Sequence, residues 1–289
     1  MTIGDIKRLY LLRLLPIYGE QEAGAIFYLV AEQRLGLSRS DVILYPEREA
    51  GDVAAQRTME AMLEELAAHR PVQYVLGRVR FCGMDFEVGE GVLVPRPETE
   101  EMVGLIAAGW QGRRREQDRA PRILDIGTGS AAIAVSLAAM LPEAEVTAMD
   151  ISDAALEIAR RNGAAARVEV EFVKADILSA PLPAGLFDII VSNPPYVPRS
   201  DMGSMARNVL NYEPHAALFV EDGDPLLFYR AISHYAAEGA LRKGGEIWLE
   251  IYEKFAEGVA KLLEADGFTD IEVIKDINSK DRIVRCRKS

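Results

Sequence analysis

The stretch "LDIGTGSAAIA" at residues 124–134 carries two periods within eleven residues. An apolar run reads as a strand and closes on Asp125 and Ile126. Gly127 and Gly129 then make a tight turn, and the small apolar residues after Ser130 take up helical spacing. A strand that turns through glycines into a helix is the ligand-facing corner of an open α/β sheet. The same alternation continues downstream. "EVTAMD" (145–150) reads as a strand, and "SDAALEIARRNG" (152–163) as a helix with Ser152 or Asp153 as its cap and Gly163 as its stop. "VEVEFVKAD" and "FDIIVS" read as strands, "DPLLFYRAISHYAAEG" as a helix, and "GGEIWLEI", "FTDIEVIKD" and "RIVRCRK" as the remaining strands. Alternating units of this size predict an α/β fold with a mostly parallel sheet covered on both faces.

Upstream the texture differs. Leu9, Leu12 and Leu15, then Ile26, Phe27 and Val30, then Met59, Met62, Leu63 and Leu66, recur at helical spacing. Residues 1–75 are expected to form a small bundle of four or five helices. Residues 76–100 mix short β-rich runs with Gly83, Gly89 and Gly91, which suggests a β-hairpin linker closed by Pro95 and Pro97. Helical pattern resumes from about Glu98 to Ala108, and residues 101–289 are expected to form the second, α/β domain.

Composition narrows the function classes. The chain has 289 residues and a net charge of −12, with 49% hydrophobic and 27% charged residues. A protein that grips a nucleic-acid backbone usually carries a basic stripe. The dense basic cluster here, Arg113, Arg114, Arg115 and Arg119, lies between patterned segments and reads as a solvated loop. Two distant cysteines, Cys82 and Cys286, give no disulfide framework, and with His69, His215 and His234 they make no metal-ligand spacing. A cytoplasmic setting without metal is expected. The apolar N-terminal run is broken by Arg13 and Pro16 and reads as an amphipathic helix. No stretch approaches the ~20 apolar residues of a membrane span.

The chemistry lies at the strand ends. Asp150 ends the strand after the glycine turn, where an acid hydrogen-bonds ribose hydroxyls, so a nucleoside-bearing cofactor is expected. Asp176 is a candidate for an adenine amino group, or else a loop acid. The spacing Gly127, Gly129, Ala132 also fits a dinucleotide fingerprint, which keeps a dehydrogenase open at this point. "VSNPPYVP" (191–198) decides further. Proline cannot continue a central ladder, so the strand stops at Asn193. The Asn193 side-chain oxygen and the Pro194 carbonyl could each accept one N–H of an amide or amino nitrogen. Pro194 and Pro195 stiffen the turn, and Tyr196 offers a flat face to a planar group. With neither nucleophile nor metal ligand present, this suits transfer of a carbon group to a positioned nitrogen. A nucleic-acid amino-group methyltransferase is the alternative enzyme, and a methyltransferase fold kept only for partner binding is the non-enzymatic one.

These motifs, with "RPVQYVLG" (70–77), "VLVPRPETE" (92–100), "YEPHAALF" (212–219), "DPLLFYRAI" (224–232) and "KDRIV" (280–284), resemble the HemK/PrmC family over essentially the full length. That resemblance implies a class I S-adenosylmethionine-dependent methyltransferase fold, with seven strands and the last reversed. It implies methyl transfer to the glutamine amide in the Gly-Gly-Gln motif of peptide-chain release factors. It further implies that Gly127, Thr128 and Gly129, continued by Ser130 and Ala131, line the cofactor's methionine end, that Asp150 holds the ribose, and that Asp176 and Ile177 flank the adenine. Asn193 would touch both cofactor and substrate, Pro194, Pro195 and Tyr196 would complete the glutamine pocket, and Arg96 and Glu98 would lie beside it. The helical domain would help recognise the release factor. Ala131 departs from the family's glycine at that place. The helical texture of "SAAIAVSLAAM" predicts that Ala131 already sits in the first turn, where a methyl is harmless.

Overall fold

Thr2 and Asp5 start the chain with a reciprocal capping box, each side chain bonding the other's backbone N–H, and so fix the start of α1 (Ile3–Leu35). A computed structural model of the protein describes residues 1–113, 119–179 and 182–289. Pro16 lies within α1, and Gly19 kinks it by leaving helical geometry at φ 75°. A second capping box, Ser38 with Asp41, opens α2 (Arg39–Leu44), and Asp52 caps α3 (Val53–Ala67). The short α4 (Val72–Leu76) follows. Their inward faces share a core of Ile6, Tyr10, Leu14, Phe27, Val30, Met59, Leu63 and Leu66. Inside it the Tyr10 hydroxyl donates to the Met59 carbonyl at 2.6 Å, which satisfies its one polar atom. The chain divides into two units, Met1–Arg78 with Ala206–Tyr212, and Val79–Met205 with Glu213–Ser289. In the first, the Tyr212 hydroxyl donates to the Ala68 carbonyl at 2.8 Å.

The hairpin of β1 (Arg78–Phe81) and β2 (Met84–Glu87) turns through Cys82 and Gly83, both at positive φ. Expected as part of a linker, residues 79–100 cluster instead with the second unit. The reason is burial: Phe81 and Phe86 meet edge to face at 5.8 Å within that unit's core. α5 (Pro97–Arg113) extends five residues past the expected Ala108, because Met102, Val103, Ile106, Ala107 and Trp110 keep one face buried.

The remaining elements are β3 (Arg122–Ile126), α6 (Ala132–Met140), β4 (Glu145–Asp150), α7 (Asp153–Ala166), β5 (Glu171–Lys174) and β6 (Phe187–Ser192). Then come β7 (Val197–Pro198), α8 (Arg207–Tyr212), β8 (Phe219–Val220), α9 (Leu227–Tyr235), β9 (Leu241–Glu250), α10 (Ala256–Ala265), β10 (Phe268–Lys275) and β11 (Asp281–Lys288). Seven strands form one sheet in the order β10-β11-β9-β6-β3-β4-β5. Only β11 runs against its neighbours β9 and β10. Two apolar clusters, one on Ile123, Val135, Leu137 and Ile189 and the other on Leu124, Ile190, Tyr229 and Leu249, cover the sheet. This is the seven-stranded class I methyltransferase architecture.

Two local expectations change. Ser152 does cap α7, but Gly163 does not stop it, since the helix runs to Ala166. A Cβ at Gly163 would lie 3.4 Å from the Phe172 ring, an ordinary van der Waals contact, so the helix passes through this glycine without strain. Arg119 is not simply solvated. Its guanidinium forks onto both oxygens of buried Asp188, which also accepts from the Arg122 backbone N–H at 2.9 Å. Arg114 and Arg115 lie outside the described residues.

Candidate active site

β4, β3 and β6 are neighbours in the sheet, and the chain leaves β3 in one direction for β4 and returns on the other side as β6. Their carboxyl ends therefore frame a topological switch point, the place where such sheets open a crevice. Three of the expected segments end there: the glycine turn after β3, Asp150 at the end of β4, and Asn193 after β6. The Ser192 hydroxyl donates to the Ile126 carbonyl at 2.7 Å and ties two of these ends together.

The turn after β3 is shaped by its backbone. The Gly127 and Thr128 N–H groups both donate to the Met149 carbonyl at 2.9 Å, and the Gly129 N–H donates to Asp150 Oδ2 at 2.9 Å. Asp150 Oδ1 accepts from Ser152 N–H, also at 2.9 Å, so each oxygen of this acid has one backbone donor. Gly127 and Gly129 have φ of 72° and 56°, and a Cβ built on either meets nothing within 4 Å. The loop is open on that side.

Ala131 departs from expectation. It precedes the helix and stands in the left-handed region at φ 62°, ψ 27°, fully buried. The turn from Thr128 is closed by Ala131 N–H to Thr128 O at 2.8 Å, and α6 begins only at Ala132. An L-residue there carries strain of about 1–2 kcal/mol. Ser130 is buried, and its carbonyl accepts from Asn162 Nδ2 at 2.9 Å. The same Asn162 exchanges two hydrogen bonds with the Glu87 backbone, so one amide side chain on α7 joins the loop to β2.

Asp125 lies beneath the loop with no exposed surface. Its Oδ2 accepts from the Thr128 hydroxyl at 2.6 Å and from Ala134 N–H at 3.2 Å, whereas Oδ1 has no hydrogen-bond partner in the protein. Burial pushes this carboxyl up to about 7, with nearby Asp150 adding to the shift and the two hydrogen bonds opposing it. At the end of β5, Asp176 accepts from Leu178 N–H at 2.9 Å and from the Ser179 hydroxyl at 3.3 Å, forming a side-chain-capped turn, with Ile177 half-buried beside it.

After β6 the organisation changes. Asn193 Nδ2 lies 3.4 Å from Thr99 Oγ1, on the first turn of α5. Thr99 donates to Glu250 Oε2 at 2.6 Å, and the Tyr196 hydroxyl donates to Glu250 Oε1 at 3.1 Å. Glu250, the last residue of β9, is buried, and its own carbonyl accepts from the Tyr229 hydroxyl at 3.2 Å. Burial pushes the Glu250 carboxyl up, while Thr99, Tyr196 and the Arg282 charge oppose that shift. Tyr196 is likewise held well above the usual tyrosine value, by burial first and then by the Glu250 charge. Its ring lies nearly parallel to Tyr252, 6.2 Å between centroids. Arg282 is fixed by buried Asp276 at 3.1 Å. Beyond Tyr196, both its own N–H and that of Val197 donate to the Leu218 carbonyl, which anchors the stiff turn to the strand pair β7–β8.

The segment before α5 is held by one buried acid. Glu213 accepts from Arg96 at 2.6 Å and from Val94 N–H at 3.2 Å. Glu98 lies half-buried on the same turn and adds its charge to the surroundings of Glu250. The sequence does not single out Thr99, Glu213, Glu250 or Asn162, although Thr99 and Glu213 lie within the motifs "VLVPRPETE" and "YEPHAALF" and Glu250 closes the apolar run "EIWLE". Among the described residues no group of three or more His, Cys, Asp or Glu could hold a metal ion, and no helix is long and apolar enough to cross a membrane.

Residues 13–77 match the family model of the PrmC N-terminal domain, and residues 123–212 match that of a methyltransferase domain. The release factor glutamine methyltransferase of Bacteroides thetaiotaomicron is 41% identical over 276 residues, spanning 95% of this chain and 96% of that protein. The release factor glutamine methyltransferase of Flavobacterium psychrophilum is 39% identical, spanning 99% of each. Among solved structures, the hMettl16 catalytic domain aligns with a TM-score of 0.56 at 19% identity, over 77% of this chain and 80% of that one. A methyltransferase from Pyrococcus furiosus aligns with a TM-score of 0.50 at 21% identity, over 72% and 90%. At these identities the structural likeness speaks for the fold alone.

Proposed function

The chain belongs to the release factor glutamine methyltransferase family, and from that membership we propose how its own residues carry the reaction. It is an S-adenosylmethionine-dependent protein-glutamine methyltransferase that acts on peptide-chain release factors. Its residues fit that cofactor. The loop at Gly127 and Gly129 is open to a close ligand, and the Asp150 carboxylate stands beside it at the end of the next strand. When bound, S-adenosylmethionine supplies a methyl group on a positively charged sulfonium.

In this reading Gly127, Thr128, Gly129, Ser130 and Ala131 form the wall at the cofactor's methionine end, Asp150 accepts from the ribose, and Asp176 with Ile177 flanks the adenine. Asn193 Oδ1 and the Pro194 carbonyl accept the two N–H groups of the glutamine amide. A glutamine amide nitrogen is a poor nucleophile because its lone pair is delocalised into the carbonyl. Two fixed acceptors turn the nitrogen toward the methyl donor and favour the positive charge that grows on it. Pro194 and Pro195 hold those acceptors in place before substrate arrives, so no orientation is paid for at the moment of reaction. Tyr196 closes the pocket. Arg96 and Glu98 belong to its substrate side. No general base is required before transfer, since the proton is lost once the nitrogen is cationic.

The substrate glutamine is that of the Gly-Gly-Gln motif, the helical domain of residues 1–75 helps recognise the release factor, and the work is done in the cytoplasm. The observation that carries the residue assignments is the Asn193 turn, stiffened by two prolines and set beside the open glycine loop at one switch point. Intact-mass analysis of a release factor incubated with the protein and S-adenosylmethionine tests it. The mass of one methyl should be gained, and the gain should vanish when the Gly-Gly-Gln glutamine is replaced. A gain that persists in that control would move the substrate site elsewhere.

A further inference from the structure

The side-chain amide of Asn193 has two ends of similar shape and opposite chemistry, an acceptor oxygen and a donor NH₂. A half-turn of this group would present N–H donors to the N–H donors of the substrate, and the proposed acceptor would be lost. Something must set the orientation. Thr99 Oγ1 lies 3.4 Å from Asn193 Nδ2, and a hydroxyl carries a single hydrogen. That hydrogen is committed to Glu250 Oε2 at 2.6 Å. Both Glu250 oxygens accept, Oε2 from Thr99 and Oε1 from Tyr196, and in its ionised form the carboxylate has no hydrogen to give back. Thr99 therefore has nothing but lone pairs to offer Asn193, and only the NH₂ end can face it. Thr99 and Glu250 are both buried, so water does not compete for the bond between them, and Asn193 is half-buried beside them. The other oxygen of the same carboxylate accepts from Tyr196 at 3.1 Å, so one side chain at the end of β9 holds both ends of the Asn-Pro-Pro-Tyr turn.

We propose that Thr99 and Glu250 are positioning residues of the methyl transfer, which fix the Asn193 amide with its oxygen toward the substrate. The inference rests on the reading of Asn193 Oδ1 as an acceptor for the glutamine amide. Neither residue touches the reacting atoms, and each acts through Asn193.

Glu250→Gln and Thr99→Val keep size, and the first removes the charge while the second removes the hydroxyl. Glutamine's NH₂ can donate where the carboxylate could only accept, which releases the Thr99 hydrogen to turn toward Asn193. Valine removes the hydroxyl altogether. The test measures turnover on a release factor, KM for that substrate, S-adenosylhomocysteine affinity by calorimetry, and the folded fraction by thermal melting. Both variants should lose roughly 100-fold in turnover, the usual cost of a misplaced reacting geometry. Cofactor-product affinity should stay within about two-fold of the parent, as expected of sites with no shared partner. Thr99→Ser, which restores the hydroxyl, should recover most of what Thr99→Val loses. In an Asn193→Ala background, followed by methyl gain in single-turnover incubations, Thr99→Val should cost nothing further. The inference is overturned if either variant keeps parental turnover, if the loss matches a fall in folded fraction, or if Thr99→Val costs the same with and without Asn193. Parental turnover of Asn193→Ala alone would instead remove the acceptor reading beneath it.

Discussion

The loop after β3 and the turn after β6 leave neighbouring strands of one sheet, yet they are built on opposite plans. In the loop, backbone N–H groups bond to the Met149 carbonyl and to Asp150, two glycines keep the surface bare, and a buried carboxylate oxygen of Asp125 is left without a partner. At the turn, the side chains of Asn193 and Tyr196 lead into a carboxylate whose two oxygens are both used. An orphaned buried acceptor costs stability, and the bare glycine surface above it leaves room for a ligand, so the first plan is built for binding. A satisfied buried network costs little and is stiff, so the second plan stores orientation. The two tasks of a group-transfer enzyme, holding a cofactor and aiming an acceptor, are thus divided between adjacent strand ends.

Breaking the turn should have the largest effect. Asn193→Ala should lower turnover by about 100- to 1000-fold, the range for losing one preorganised polar contact to a developing charge. Calorimetric affinity for S-adenosylhomocysteine should change far less, and a parallel collapse of both would erase the division between the two strand ends.

The loop should show itself in the pH dependence of stability. Asp125 is raised from 3.8 to about 7, so its contribution is fully present below the unfolded value and is lost as pH rises through 7. At about 1.4 kcal/mol per pKa unit, the difference approaches roughly 4 kcal/mol by alkaline pH. Urea unfolding of the ligand-free protein at about pH 5 and about pH 8 should therefore show a decline that Asp125→Asn flattens. Equal slopes in parent and variant would remove the penalty assigned to the orphaned oxygen.

A smaller effect tests the strained position. Ala131→Val places a β-branched side chain at φ 62° in a buried site and should cost about 2 kcal/mol by chemical denaturation. Ala131→Gly should be tolerated. If valine were also tolerated, the left-handed conformation would not be a constraint on this loop. The smallest effect belongs to the far side of the network. Tyr229→Phe deletes one hydroxyl from the Glu250 carbonyl and should cost about 1 kcal/mol of stability while leaving the methyl-transfer rate close to the parent's. A large loss of turnover would show that the network transmits through the Glu250 backbone as well as its side chain.

The same division explains what could be read in advance. Glycine after a strand, an acid at the next strand end and proline after a third are local signals, because each is imposed by backbone geometry within a few residues. They placed Gly127, Gly129, Asp150 and Asn193 at one edge of a parallel sheet before any contact was known. The hairpin at 78–87 was legible for the same reason, but its role was not. Whether Phe81 and Phe86 span a linker or fill a core depends on what covers them.

Sequence alone therefore determined the order of the main-sheet strands, the family resemblance and the residues at the strand ends, since periodicity and turn chemistry act over short range, while the short β7, α8 and β8 escaped it. Tertiary structure decided how those residues are held. Thr99 meets Glu250 across 151 residues, Arg96 meets Glu213 across 117, and Asn162 meets Glu87 across 75. No local pattern encodes such pairs, because a buried acid is tolerated wherever the folded chain happens to bring a donor. Ala131 shows the same limit at close range. Its side chain suits a helix, but the residue stands at φ 62° just before α6, where the path of the chain into the helix prevails over propensity.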